Sequence, residues 1–515
     1  MPDPLPPESR IDGVTDGGPE LESPNFGPTL NAAARTNAVV HGTRWMTLST
    51  TAVQGIRLLV SVVLARLLAP ADFGLLAMAF VVISFADIFK DLGTKAALIQ
   101  KRELTTEFAS TVFWLNIGIG AVLATVVMLG APIFAALYAE PTVVDVLRVM
   151  GLVLAISAFG LAQQAHLYRE LRFRALAAVQ FTVAGVNMVV AISLALAGWG
   201  VWALVAGTVS SAAAGILVTW ILSDWRPAFA FRWRDLEEIA GFSLNLSGSQ
   251  ILGFALSNGD KILIARFLGA SPLGYFNIAH RTLTYPVQSI TRVLQQVLFP
   301  TMSRIQDDDA AIARGYLRAC AGISLLTFPA MVGIAVLARP LVEVVLGERW
   351  LPAAPLIAVL APVGAVQSLT YTVSVLYQVK GRTDWLLRWS LVSGVAMLSA
   401  VWFGLQWGIL GVVVAFAVVI AALTYPAFAI PFRLIGLRFR ALAVVVRPYT
   451  LASLTMGAAV LLLRVILNGA GASPLTVVSL GVPLGVAIYG AFLQLWRPPA
   501  LDDLLRLVLP SRRAP

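Results

Sequence analysis

Apolar stretches long enough to cross a membrane alternate with short polar connections from about residue 46 to about residue 496. A helix needs roughly 20 mainly apolar residues to span the hydrocarbon core of a bilayer. The pattern predicts about 14 spans, near 46–66, 73–97, 110–137, 143–165, 176–197, 200–222, 240–267, 274–300, 316–346, 354–379, 385–404, 408–431, 447–467 and 475–496. Residues 1–40 are rich in Pro, Gly, Asp and Glu and carry no apolar run, which predicts a disordered tail and not a signal peptide. Segment 223–238, with Trp225, Arg226, Pro227, Asp235, Glu237 and Glu238 around short apolar pieces, reads as a linker. The predicted organisation is a tail (1–40), six spans (41–222), the linker (223–238), six more spans (239–435), and a final pair of spans with a tail (436–515).

Within this apolar background the polar positions repeat. The first span carries Thr43, Thr47, Thr50, Gln54, Arg57 and Ser61; about 200 residues later the seventh carries Ser243, Ser247, Gln250, Ser257 and Lys261. At about 100° per residue each set falls on one side of its helix. The match continues downstream, pairing Ala65 with Ala265, Arg66 with Arg266, Leu68 with Leu268, Gly74 with Gly274 and Ala79 with Ala279. Polar groups in a span are costly against lipid and face protein or a water-filled cavity. A repeated polar face therefore predicts two similar six-helix lobes around one central cavity. Because six is even, both lobes enter the membrane in the same sense, a parallel pseudo-twofold repeat.

Charge fixes the expected orientation. Basic residues gather after even-numbered spans, as in Arg169, Arg172 and Arg174, Lys380, Arg382 and Arg388, or Arg433, Arg438 and Arg440. The opposite connections hold little beyond Arg66, Arg266, Arg339, Arg349 and Arg464. The positive-inside rule then puts both termini in the cytoplasm. The net charge of +10 is spread over these loops, which argues against a nucleic-acid partner. Mean hydropathy of +0.83 excludes a soluble domain, and the single Cys320 excludes an internal disulfide framework. There is no Gly-Lys dipeptide and hence no Walker A loop; no HExxH, no CxxC, and no loop able to hold a soluble catalytic domain. Neither a cofactor nor an enzymatic activity is expected.

The second span holds Ser84, Asp87, Lys90, Asp91 and Lys95 at helical spacing on one side. These residues read either as a charged cavity wall that binds ions or substrate, or as an internally neutralised ladder that pins helices together. In the eighth span Arg281, Thr284, Gln288, Arg292 and Gln295 form a second stripe, with His280 off it as a packed, hydrogen-bonded side chain. The seventh adds Asn258 and Asp260 beside Lys261; Asp260 and Lys261 are adjacent, point about 100° apart, and are expected to serve separate neighbours, with a mutual cap as the alternative. If all face inward, Arg57, Lys90, Lys95, Lys261, Arg281 and Arg292 against Asp87, Asp91 and Asp260 leave a net charge of roughly +3. Arginine's planar fork suits phosphate oxygens, so the expected cargo has an anionic, phosphorylated head group. Trp45, Trp202, Trp225 and Trp350 near span ends are expected interface anchors.

The run from Ala65 to Ala77 (ARLLAPADFGLLA), Asp91-Leu92-Gly93, residues 96–100 (AALIQ), Ser110 to Asn116 (STVFWLN) and Asp260 to Gly269 (DKILIARFLG) resemble the Wzx-type polysaccharide flippases. The likeness extends over about residues 40–435 and is nearest to the colanic-acid and succinoglycan exporter branch of the polysaccharide transport family, within the multidrug/oligosaccharidyl-lipid/polysaccharide superfamily. It implies alternating access, with an oligosaccharide repeat unit on a polyprenyl diphosphate moved from the inner to the outer leaflet of the inner membrane. A polysaccharide polymerase and a chain-length regulator are the partners it implies. The first, second, seventh and eighth spans line the cavity in such carriers. Substrate contacts would come from Arg57, Lys261, Arg281 and Arg292, with Gln54, Gln250, Asn258, Gln288 and Gln295 on the glycan. Asp87, Asp91 or Asp260 would couple transport to a proton or sodium gradient. A cation-coupled drug exporter is the rival reading, expected to show 12 spans and an acidic cavity; a lipid II flippase is the nearest in chemistry.

Overall fold

The computed structural model describes residues 32–501 apart from 92, 102 and 103; the side chains of 32–48, 51, 91, 96, 100, 235–249, 285–297 and 300 lie outside that description. Among the described residues there are eighteen α-helices and no strand. The first group runs α1 (Ala32–Leu67), α2 (Pro70–Asp91), α3 (Thr94–Gln100), α4 (Thr106–Tyr138), α5 (Val143–Ala158), α6 (Leu161–Arg169), α7 (Phe173–Leu196) and α8 (Val201–Leu222). The second runs α9 (Trp233–Leu268), α10 (Ala270–Ser303), α11 (Asp309–Val336), α12 (Ala338–Val345), α13 (Ala353–Thr370), α14 (Val373–Val379), α15 (Thr383–Gly404) and α16 (Gly408–Phe432). A pair, α17 (Phe439–Gly469) and α18 (Pro474–Trp496), follows.

Nine described stretches are long and apolar enough to cross a membrane, or ten when α5 and α6, bent by 43°, are taken as one span. One of the nine, Thr383–Ile435, contains both α15 and α16. The helices α1, α9 and α10, whose polar positions mark the repeat, are outside that set. This arrangement is consistent with the 14 spans expected. Hydroxyls inside the apolar helices are satisfied locally: Thr125, Thr182, Thr208, Thr219 and Thr327 each donate to the carbonyl four residues back.

Helix ends follow the local chemistry. Thr105 accepts from the Phe108 amide to cap α4, Asp308 from Ala311 to cap α11, and Ser473 from Thr476 to cap α18. Two boundaries differ from expectation. The first helix begins at Ala32, within the stretch expected to be a tail, where Ala32, Ala33 and Ala34 have the highest helix propensity. The linker is extended only to Arg232, and α9 starts at Trp233. The extended part is fixed to α4: Ser110 accepts from the Ala228 amide (2.9 Å), Thr111 from that of Arg232 (3.1 Å), and Trp114 donates to the Ala228 carbonyl (2.9 Å).

In the first group α7 packs against α1 and α8, and α5 against α4, α8 and α2; in the second α13 packs against α10, α11 and α16, and α15 against α9. Helix α17 lies on α11, and α18 on α17 and α12. The two groups meet chiefly where α2 crosses α10, with α9 alongside α2. A β-carbon on Gly74 would overlap the carbonyl of Ala270, and one on Gly274 would overlap the carbonyl of Pro70. The contact is reciprocal: each glycine receives the first residue of the other helix, an approach that only a missing side chain permits. Pro70 suits a first helical position, and the Asp72 carboxylate accepts from the Ala69 amide at 2.9 Å to close the tight α1–α2 turn. Gly74→Val and Gly274→Val are expected to destabilise the fold by similar amounts, at least the ~1–3 kcal/mol typical of overpacking. Gly55→Ala, which meets open space inside α1, is expected not to destabilise and to gain up to ~1 kcal/mol from helix propensity. Thermal unfolding in detergent measures all three.

Candidate functional site

Gln54, Arg57 and Ser61 stand three and four residues apart on α1, so one face presents all three. They line a cavity of about 280 Å³ together with Arg281 and Thr282 of α10. One arginine thus comes from each helix group, and both are exposed. The lining contributed by α11–α13 is aliphatic, built from Ile334 of α11, Leu341, Val342 and Val345 of α12, and Ile357 of α13.

Lys261 and Asn258 do not line this cavity. The Lys261 ammonium donates to the Asn258 carboxamide oxygen at 2.8 Å, and Asn258 donates to the Phe254 carbonyl at 3.2 Å. Asp260 accepts from the Lys261 backbone amide at 2.8 Å, and its carboxylate interacts electrostatically with Lys261 first and with His280 second, so the two neighbours are engaged with each other as well as with separate partners. His280 stacks on Phe276 with centroids 5.7 Å apart and contacts the Thr284 hydroxyl at 3.3 Å. His280 and Thr284 face Gln367, Tyr371 and Phe416, so Thr284 turns away from the hollow that holds Arg281. Gln250 is exposed on α9. Gln288, Arg292 and Gln295 fall on α10 and Asp91 on α2, but their side chains lie outside the described residues.

The charges of the second span are divided. The Asp87 side chain is 55% exposed and pairs with Lys90, whose side chain is 7% exposed and whose ammonium donates to the Ser157 hydroxyl of α5 at 2.6 Å. Lys95 lies over the Tyr168 ring of α6 at 4.8 Å. Both lysines thus make contacts inside the first helix group. The roughly +3 charge counted from sequence assumed that all faced inward; the cavity itself is marked by Arg57 and Arg281.

Beside this cavity the two groups are latched. The Trp350 indole donates to the Ala65 carbonyl at 2.6 Å, and its ring meets Phe73 and Tyr275 edge-on at 5.2 and 5.9 Å. Arg66 donates to the carbonyls of Val344 and Val345 at the end of α12, where helix carbonyls lack intrahelical donors. Trp350 is fully buried, as is most of Trp225, so neither is the interface anchor expected. Nothing in the periodicity of α1 links Arg66 to a carbonyl 279 residues away.

Residues 63–355, more than half of the chain, match the family described as polysaccharide biosynthesis protein. The chain belongs to that family. It is 28% identical over 492 residues to the succinoglycan biosynthesis transport protein ExoT of Rhizobium meliloti, covering 95% of this chain and 97% of that one. It is 29% identical to the teichuronic acid biosynthesis protein TuaB of Bacillus subtilis, over 72% of this chain and 78% of TuaB, and 26% identical to the lipopolysaccharide biosynthesis protein WzxC of Escherichia coli, over 74% and 78%. In fold it is similar to the lipid II flippase MurJ in an inward closed conformation, with a TM-score of 0.69 and 14% identity, covering 90% of this chain and 99% of MurJ. An inward-facing multidrug transporter of the MATE family gives a TM-score of 0.58 at 16% identity, over 74% and 94%. The chain is thus a multi-pass membrane protein with the fold of these carriers.

If Trp350 and Arg66 hold the two groups together, loosening them widens access to the arginine cavity. With Cys320 replaced by Ala, a cysteine placed by Arg57→Cys is expected to react several-fold faster with a membrane-impermeant thiol reagent once Trp350→Ala is added. An unchanged rate would show that the latch does not control access.

Proposed function

We propose that this protein is a flippase that carries polyprenyl-diphosphate-linked oligosaccharide repeat units across the inner membrane by alternating access, for exopolysaccharide or lipopolysaccharide synthesis. The observation that carries this reading is the meeting of Arg57 and Arg281, one from each helix group, on a single cavity. A diphosphate offers oxygens to both forks at once, and each charged contact contributes about 1.5–3 kcal/mol. Family membership and the transport and flippase names of its relatives support the same cargo class. Gln54 and Ser61 on α1 supply neutral hydrogen-bonding groups beside the arginines, suited to sugar hydroxyls.

In this reading the lobes are residues 41–222 and 239–435, the basic connections and both termini face the cytoplasm, and the latched end faces outward. Rocking of one lobe against the other separates Trp350 and Arg66 from their partners and opens the cavity to the outer leaflet. Lys261, Asn258, Gln250, Gln288, Arg292 and Gln295 extend the substrate path along α9 and α10. Asp87, Asp91 and Asp260 are the candidate coupling residues for a proton or sodium ion, and a polymerase and chain-length regulator receive the product. No enzymatic step is needed.

Arg57→Ala and Arg281→Ala are each expected to reduce export about ten- to hundredfold, the loss that one charged contact represents. Lipid-linked oligosaccharide should then accumulate in the inner leaflet while surface polymer falls. Undiminished surface polymer in both variants would defeat the assignment. Cationic-dye efflux by the native protein would instead favour a drug exporter.

A further inference from the structure

The cavity has two chemically distinct sides, and the proposed head-group contacts use only one. Arg57, Arg281, Gln54 and Ser61 offer charge and hydrogen bonds; Ile334, Leu341, Val342, Val345 and Ile357 offer only branched hydrocarbon. Its volume of about 280 Å³ lies near the lower end of small-molecule sites. On α1, Leu58 lines it while remaining 47% exposed, and the adjacent Leu59 is 58% exposed, so the apolar lining continues to an open face of the helix.

A sugar cannot satisfy its hydroxyls against the aliphatic wall, and an inorganic or nucleoside diphosphate would leave that wall uncovered. One ligand chemistry matches both sides: a diphosphate esterified to a branched hydrocarbon. We propose that the slot between α1, α10 and α11–α13 binds the isoprenyl units nearest the diphosphate of the carrier lipid, an assignment that rests on the flippase reading and adds the location of its tail. Helix α18 packs against α12, where Gly481 faces Leu337, and α17 lies on α11, so the pair braces the slot's wall from outside rather than lining it.

The position gives the slot a second consequence. Helix α12 contributes Leu341, Val342 and Val345 to the hollow, and its terminal carbonyls at Val344 and Val345 receive Arg66. An isoprenyl unit seated against α12 therefore touches the same short helix that holds the latch, which links lipid occupancy to opening of that end.

Binding of farnesyl diphosphate and of inorganic diphosphate to the purified full chain in detergent tests this. The native protein is expected to bind farnesyl diphosphate about tenfold or more tightly than inorganic diphosphate, from burial of its first methylenes. Val345→Phe, which fills the slot, should bring the two affinities level by weakening farnesyl diphosphate more than inorganic diphosphate, whereas Arg57→Ala should weaken both. Because that fill could prevent folding, a photoreactive farnesyl diphosphate is also applied to the unaltered chain, where cross-links are expected on 338–345. A retained farnesyl preference in a folded Val345→Phe protein, or cross-links confined to α17 and α18, would overturn the slot while leaving the flippase reading in place. Failure of the native protein to bind either diphosphate would overturn the head-group site itself, and the slot with it.

Discussion

The reciprocal seating of α2 and α10 is the constraint on which the rest of the molecule depends. Gly74 and Gly274 let each helix receive the other's first residue, and the core that spans both groups, including Phe73, Met78, Leu273, Phe276 and Trp350, forms around this crossing. A backbone-to-backbone approach of this kind tolerates no side chain, so it fixes register as well as distance. It also fixes where the ends of α1 and α9 lie, since tight turns at Ala69 and Gly269 join them to the crossing helices. The meeting of Arg57 with Arg281 follows from that placement: each arginine sits some turns along a helix whose end is already set.

Polar groups in this chain are used in two ways that spacing does not separate. Lys90 and Asp87 satisfy each other, with Ser157 completing the lysine's shell, which is the neutralised-ladder reading for this pair. Arg57 and Arg281 both line the arginine cavity, and which neighbours such a charge meets depends on the helix packed beside it. The Ser110–Asn116 run shows a third use: Ser110, Thr111 and Trp114 hold the connecting segment, while Asn116 bonds Thr94 at 3.2 Å inside the first group. Part of the family resemblance therefore reflects structural pinning rather than contact with cargo.

Helix α12 joins three parts that would otherwise be independent. One side supplies aliphatic groups to the arginine cavity, its end accepts Arg66 from the first helix group, and α18 packs against it. The short turn beyond it delivers Trp350 to Ala65. A carrier that alternates must break interactions at one end without unfolding its lobes. A few hydrogen bonds and one aromatic plug, concentrated on an eight-residue helix, are the sort of contact that can be exchanged.

By itself the sequence determined the membrane class, the order of the spans, the internal repeat and the polar faces of α1, α9 and α10, because hydropathy and helical periodicity are local properties written every few residues. The likeness of its motifs already indicated the family. Tertiary structure decided which polar faces meet: Arg57 found Arg281, while Lys261 turned to Asn258 and Lys90 to Ser157. It alone paired Arg66 with the end of α12 and buried Trp350 between the groups. Such contacts join residues hundreds of positions apart. Their partners are chosen by how helices cross, which depends on small residues at the crossing and is not carried by the periodicity of either helix alone.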